Sequence, residues 1–128
     1  MSHRILIVDD EPMMLEILSI NLGHQGFTVN TASSMHEAHA KLMADELPDA
    51  IIVGDLKPLE EASQSLVLDI KTLSVGLKLP VIMLTTQARP EQIRDGYACG
   101  ADDYITKPFS PRTLVTTLKK HLDARSIV

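Results

Sequence analysis

Short apolar runs alternate along the chain with longer stretches in which apolar residues recur every three or four positions. The first run, "RILIVDD", is β-branched and ends in acids. "PMMLEILSINLGHQG" has apolar residues at helical spacing, a proline near its start and glycines at its end, the punctuation of a helix. "FTVNTA" alternates with a period of two and reads as a strand. "SSMHEAHAKLMADE" reads as a second helix, with Ser33 or Ser34 as N-cap and Glu37 placed to complete a capping box from Ser34. "AIIV" and "PVIML" are continuous apolar runs, the mark of strands covered on both faces. "ASQSLVLDIKTLSVG", "RPEQIRDGYACG" and "SPRTLVTTLKKHLDA" read as helices. Gly100 closes the second of these, and the third is capped by Ser110 with Pro111 in its first turn. "DYIT" supplies the last strand. Five β units alternating with five α units predict an α/β fold, a doubly wound parallel sheet with helices on both faces. The closing "RSIV" reads as a tail or the start of a linker.

Composition narrows the class. A chain of 128 residues makes one domain the default. Aromatics are 3% with no Trp, so the core is built from Ile, Leu, Val, Ala and Met. A formal charge of −5 argues against non-specific binding to nucleic acid or a membrane surface, which calls for a basic face. Cys99 stands alone and forms no internal disulfide, which suits a reducing cytosol. No apolar run approaches the ~20 residues that cross a bilayer, and "ILIV" before two aspartates is too short for a signal peptide.

In a doubly wound sheet ligands bind beyond the carboxyl ends of the strands. Those ends carry Asp9, Asp10 and Glu11 after the first strand and Gly54 and Asp55 after the third. Thr85 and Thr86 follow the fourth, and Lys107 and Pro108 follow the fifth. Acids, a hydroxyl and a lysine therefore converge on one edge. Paired carboxylates suit a hard divalent cation such as Mg²⁺. A lysine and a hydroxyl beside it suit a phosphoryl group.

With "ILIVDDE", "PDAIIV", the proline of "LKP", "LPVIMLT" and "GADDYITKPF" in this order, the sequence resembles the CheY-like receiver domain of bacterial two-component response regulators over nearly its whole length. The resemblance implies a flavodoxin-like sheet of order 2-1-3-4-5, a receiver domain over residues 1–123 with 124–128 as tail or linker, and a cytoplasmic location. It implies Mg²⁺ and no organic cofactor, and a phosphoryl group taken onto an aspartate from a sensor histidine kinase. By its motifs Asp9 and Asp10 form the acidic pair, with Asp10 touching the metal. Thr85 is the switch hydroxyl, Tyr104 the aromatic that turns inward on activation, Lys107 the lysine, and Pro108 follows a cis bond.

The chain's main departure from that pattern falls at one position. The phosphoacceptor stands six residues after the proline of "PD" and four before the proline of the next loop, and both counts fall on Gly54. Glycine offers no nucleophile. Asp55 is one residue late, and on a strand a shift of one residue turns a side chain to the other face. Two readings follow. Either the domain is a pseudo-receiver acting through protein–protein contacts, which we favour, or a bulge at Gly54 returns Asp55 to the pocket as a substitute. Without an acid at position 54, Mg²⁺ is left with Asp10 and Asp9, water and the backbone carbonyl of Leu56, and weak binding is expected. Lys57, Glu60, Glu61 and Ala62 also depart from the pattern in the loop that follows.

His36 and His39 share a helix face but lack a third ligand, and they read as surface residues. An FMN-binding flavodoxin-like protein is the remote alternative, disfavoured because "DDEP" after the first strand repels phosphate. The partners expected are a histidine kinase or another signalling protein, and a second copy through residues 89–122. No membrane partner is expected, and nucleic acid only through an effector domain of a longer parent.

Overall fold

The computed structural model describes residues 3–43, 47–56, 59–73, 78–86 and 89–127. In chain order the elements are β1 (Arg4–Val8), α1 (Pro12–His24), β2 (Thr28–Ala32), α2 (Met35–Leu42), β3 (Ala50–Val53), α3 (Leu59–Leu73), β4 (Val81–Thr85), α4 (Pro90–Ala98), β5 (Asp103–Thr106) and α5 (Pro111–Ile127). The strands form one parallel sheet of order β2-β1-β3-β4-β5, as the alternation and the resemblance predict.

The hydropathy pattern explains which strands are central. Every residue of β3 and β4 is buried, so the two continuous apolar runs lie where both faces are covered. The edge strand β2 exposes Thr28 and Asn30 and turns Ala32 inward. On one face Ile5, Ile7, Ile52, Ile82 and Leu84 pack against Leu18 and Leu22 of α1 and Leu114, Leu118 and Leu122 of α5. On the other, Leu6, Val8, Ile51, Val53 and Met83 pack against α2 and α3. Each such fully buried aliphatic side chain contributes about 1.5–3 kcal/mol of transfer free energy.

Local signals set most helix ends. Ser34 Oγ accepts the Glu37 N–H at 3.1 Å and caps α2. The expected capping box is altered, since the Glu37 carboxylate accepts instead from Ser33 Oγ at 2.9 Å. Ser110 Oγ accepts the Thr113 N–H at the start of α5. Gly26 and Gly100, with φ of +90° and +116°, turn the chain after α1 and α4. Two boundaries differ from the sequence reading. Leu59 already opens α3, and α5 runs on through Ile127, so residues 124–127 continue the helix rather than forming a tail. Lys57 and Pro58 lie outside the described residues, as do the side chains of Glu60 and Glu61; Ala62 is buried in α3. Among the described residues no helix is long and apolar enough to cross a membrane.

Candidate functional site

All five strands run the same way, so the residues after β1, β3, β4 and β5 share one edge. The Asp9 N–H bonds Ala32 O at 3.1 Å and carries the β1 ladder one residue beyond the strand. Asp9 is 1% exposed; its Oδ1 accepts the Glu11 N–H at 2.9 Å and its Oδ2 accepts from Lys107 Nζ at 2.9 Å. The Lys107 N–H donates to Thr85 O at 2.9 Å and holds the end of β5 against the end of β4. The peptide bond that follows, Lys107–Pro108, is cis.

Gly54 shapes this corner by lacking a side chain. A Cβ built at position 54 would overlap Asp9 Oδ2 and come within 2.8 Å of its Cγ. The Asp9 carboxylate therefore occupies the room that a side chain at position 54 would take.

Strict alternation predicts that Asp55 points away from this edge, and the structure corrects that. Asp55 Oδ1 accepts a hydrogen bond from Thr85 Oγ1. Its Oδ2 accepts from Lys107 Nζ at 3.2 Å, from Thr86 Oγ1 at 3.2 Å and from the Thr86 N–H at 3.3 Å. The backbone supplies the reason. The Gly54 N–H donates to Val8 O at 2.6 Å. A regular parallel ladder would next send the Asp10 N–H to Gly54 O. It goes instead to Asp55 O at 3.2 Å, and Gly54 O accepts from Ser63 Oγ at 2.8 Å. One extra residue is taken up between the two ladder bonds, as in a bulge, and this re-aims Asp55. Ser63 also accepts the Leu56 N–H at 3.2 Å, so a single buried hydroxyl secures both sides of the slip.

The electrostatics of Asp9 and Lys107 follow from opposite charges held together in little water. Burial raises the pKa of Asp9, and its hydrogen bond to Lys107 opposes this without reversing it. Burial alone would lower the pKa of Lys107; the hydrogen bond and charge of Asp9, with the charge of Asp55, outweigh it and the net direction is up. Asp10 Oδ2 is buried with no hydrogen-bond partner among the described residues. A buried carboxylate oxygen without a donor is what a hard cation satisfies, so Asp10 fits a divalent metal. Among the described residues no three His, Cys, Asp or Glu side chains converge as a full cage.

Tyr104 lies partly buried against the core, its ring tilted 42° to that of Tyr97 with centroids 6.2 Å apart. Gly96 of α4 leaves it room, because a Cβ there would lie 3.0 Å from Tyr104 Cε2. On β5 the neighbouring Asp103 turns to α5, where its Oδ2 meets His121 Nε2 at 3.0 Å and Lys120 Nζ at 3.7 Å. Among the exposed large apolar residues described, Met13, Ile17 and Ile20 line one face of α1, whereas residues 89–122 contribute only Tyr97. His39 Nε2 lies 3.3 Å from Asp69 Oδ2 of α3.

Comparison with known proteins decides the family. Residues 5–119 match the model of the response regulator receiver domain. The chain belongs to that family. This receiver is 38% identical over 115 residues to the phosphate regulon transcriptional regulatory protein PhoB of Pseudomonas aeruginosa, covering 90% of the chain and 49% of the relative. It is 34% identical over 119 residues to PhoB of Escherichia coli K12, covering 93% and 51%. The chain thus spans about half the length of these curated relatives. A CheY-like receiver domain protein from Methanospirillum hungatei superposes with a TM-score of 0.88 at 29% identity, covering 98% of both chains. A putative response regulator from Chloroflexus aurantiacus gives 0.86 at 33%, covering 96% and 99%.

The receiver edge thus gathers Asp9, Asp10, Gly54, Asp55, Thr85 and Lys107, while Tyr104 sits apart beside α4. Sequence reasoning passed over two residues. Thr86 was noted only as a strand end, yet it gives Asp55 two donors. A second hydroxyl directly after Thr85 was the available signal. Ser63 carried none, because its role depends on the return of α3 beneath the β3 end.

Proposed function

We propose that this receiver domain works in two-component signalling without an aspartyl phosphate, through contacts with other proteins. The observation that carries the reading is the filled space at Gly54. The aligned position has no carboxylate, and Asp9 already occupies the room one would need. Asp55 stands one residue past that position, and its largely buried side chain, 12% exposed, is held by hydrogen bonds from Thr85, Thr86 and Lys107.

Its role is then that of a binding module, not an enzyme. The partners are a sensor histidine kinase or another signalling protein, and a second copy through residues 89–122. Nucleic acid enters only through an effector domain of a longer parent. The apolar stripe Met13, Ile17 and Ile20 is a further surface that a partner can cover. Mg²⁺ would be held by Asp10, with the Leu56 carbonyl and water, and would supply positive charge at an acidic edge. Asp9 contributes little, since both its oxygens are already hydrogen-bonded.

One observation favours a second reading. The ladder slip brings Asp55 within 3.2 Å of Lys107, where a substitute phosphoacceptor would stand. The two readings separate on whether the protein responds to a phosphodonor. Sedimentation and ¹H–¹⁵N spectra with acetyl phosphate and Mg²⁺ should match those with Mg²⁺ alone. A donor-dependent change of association state or of the Thr85, Thr86 and Tyr104 signals would favour Asp55 as acceptor.

A further inference from the structure

Four donors converge on the Asp55 carboxylate: the hydroxyl of Thr85, the N–H and hydroxyl of Thr86, and the ammonium of Lys107. They come from the ends of two strands, which the Lys107 N–H to Thr85 O bond holds side by side. Two hydroxyls, a backbone N–H and a lysine aimed at one point are the chemistry that holds a phosphate-class oxyanion. In this chain the anion is already present, and the protein supplies it.

We propose that Asp55 is a tethered anion that permanently fills an oxyanion cradle built by Thr85, Thr86 and Lys107. The domain thereby holds for itself the arrangement of the β4 and β5 ends that a bound phosphoryl group would otherwise impose. This rests on the reading that the domain works without aspartyl phosphate, and it states what takes the place of the phosphate.

The backbone keeps the carboxylate in position. Asp55 O accepts the Asp10 N–H, Gly54 O accepts from Ser63, and the Leu56 N–H donates to the same hydroxyl. The main chain is thus anchored on both sides of Asp55. A group held this way presents itself to its partners at an effective concentration of millimolar or more, which a free anion must exceed to displace it. Charge acts in the same direction. Among the described residues Asp9 and Asp55 share one ammonium, and a free dianion approaching the filled cradle meets the net negative charge of that group. Gly54 is part of the device, because a side chain there would push Asp9 off Lys107.

The test is chemical rescue read by hydrogen exchange at the Thr86 amide, with inorganic phosphate and Mg²⁺ as the probe. The wild-type amide should be protected without phosphate and unchanged by it. Asp55→Ala should lose protection by about tenfold or more, and phosphate should restore it. If Asp55→Ala does not fold, Asp55→Asn is read in the same way, with a smaller loss because one acceptor oxygen remains. Failure of phosphate to restore protection in a folded variant would overturn the cradle. So would a wild-type amide that responds to phosphate as the variant does. A parallel wild-type sample treated with acetyl phosphate separates the two claims: phosphorylated Asp55 overturns the phosphate-free reading beneath the proposal, whereas failed rescue without phosphorylation overturns the proposal alone.

Discussion

Gly54 and Asp9 share one space: the absent side chain of the first makes room for the carboxylate of the second, which reaches Lys107 at 2.9 Å. Gly54→Ala should therefore act at a distance of one side chain. Its Cβ must push Asp9 out of its rotamer and off Lys107, a cost of about 1–3 kcal/mol for a displaced, hydrogen-bonded buried group. Urea denaturation should give that loss. In Asp9→Ala, which has already vacated the space, the same Gly54→Ala change should cost much less. Equal losses in the two backgrounds would contradict the shared-space account.

Among the described residues Lys107 is the one cation bonded to both buried carboxylates, so Lys107→Met should leave Asp9 and Asp55 uncompensated. Removing one member of a buried charged cluster costs about 3–5 kcal/mol. The pH dependence has a definite sign. The folded pKa of Lys107 is raised above its ordinary 10.5, so its stabilisation is full below 10.5 and is lost as pH rises through the folded value. The stability gap between wild type and Lys107→Met should be constant from neutral pH to about 10 and shrink above it.

Much of this was legible in the sequence. The unbroken runs "AIIV" and "VIML" marked the two central strands because burial on both faces leaves no position for a polar residue. The strand ends named Asp9, Asp10, Thr85 and Lys107 because parallel strands must bring their carboxyl ends to one edge. Which of the two directions Asp55 takes was not legible. Period-two alternation holds only while the ladder is regular, and here the ladder slips by one residue between Val8 O and the Asp10 N–H. That slip depends on a glycine without a Cβ and on a serine nine positions later, which no periodicity connects.

Asp10 Oδ2, buried without a donor, is the atom expected to respond to metal. Titration with MgCl₂ should shift the Asp10 and Leu56 amide signals, and Asp10→Asn should abolish the saturable part of the response. Asp9→Asn should weaken it less, because the Asp9 oxygens are committed to Glu11 and Lys107.

At the far side of β5, Asp103 is held below its ordinary 3.8: burial pushes it up, but His121, the Tyr104 N–H and Lys120 together prevail. A lowered carboxylate stabilises above the unfolded pKa, and that contribution is lost as pH falls through the folded value. Asp103→Asn should cost about 0.5–1 kcal/mol at pH 7, as befits a partly exposed cluster. Thermal unfolding at descending pH should show the two proteins converging below the pKa of Asp103.

On the proposed reading, no carboxylate in this receiver accepts a phosphoryl group. Intact-mass spectrometry after incubation with acetyl phosphate and Mg²⁺ tests it most directly, with Asp55→Asn as the control. The account predicts an unmodified mass for both proteins. A wild-type adduct of one phosphoryl group, mapped to Asp55 and absent from Asp55→Asn, would contradict it.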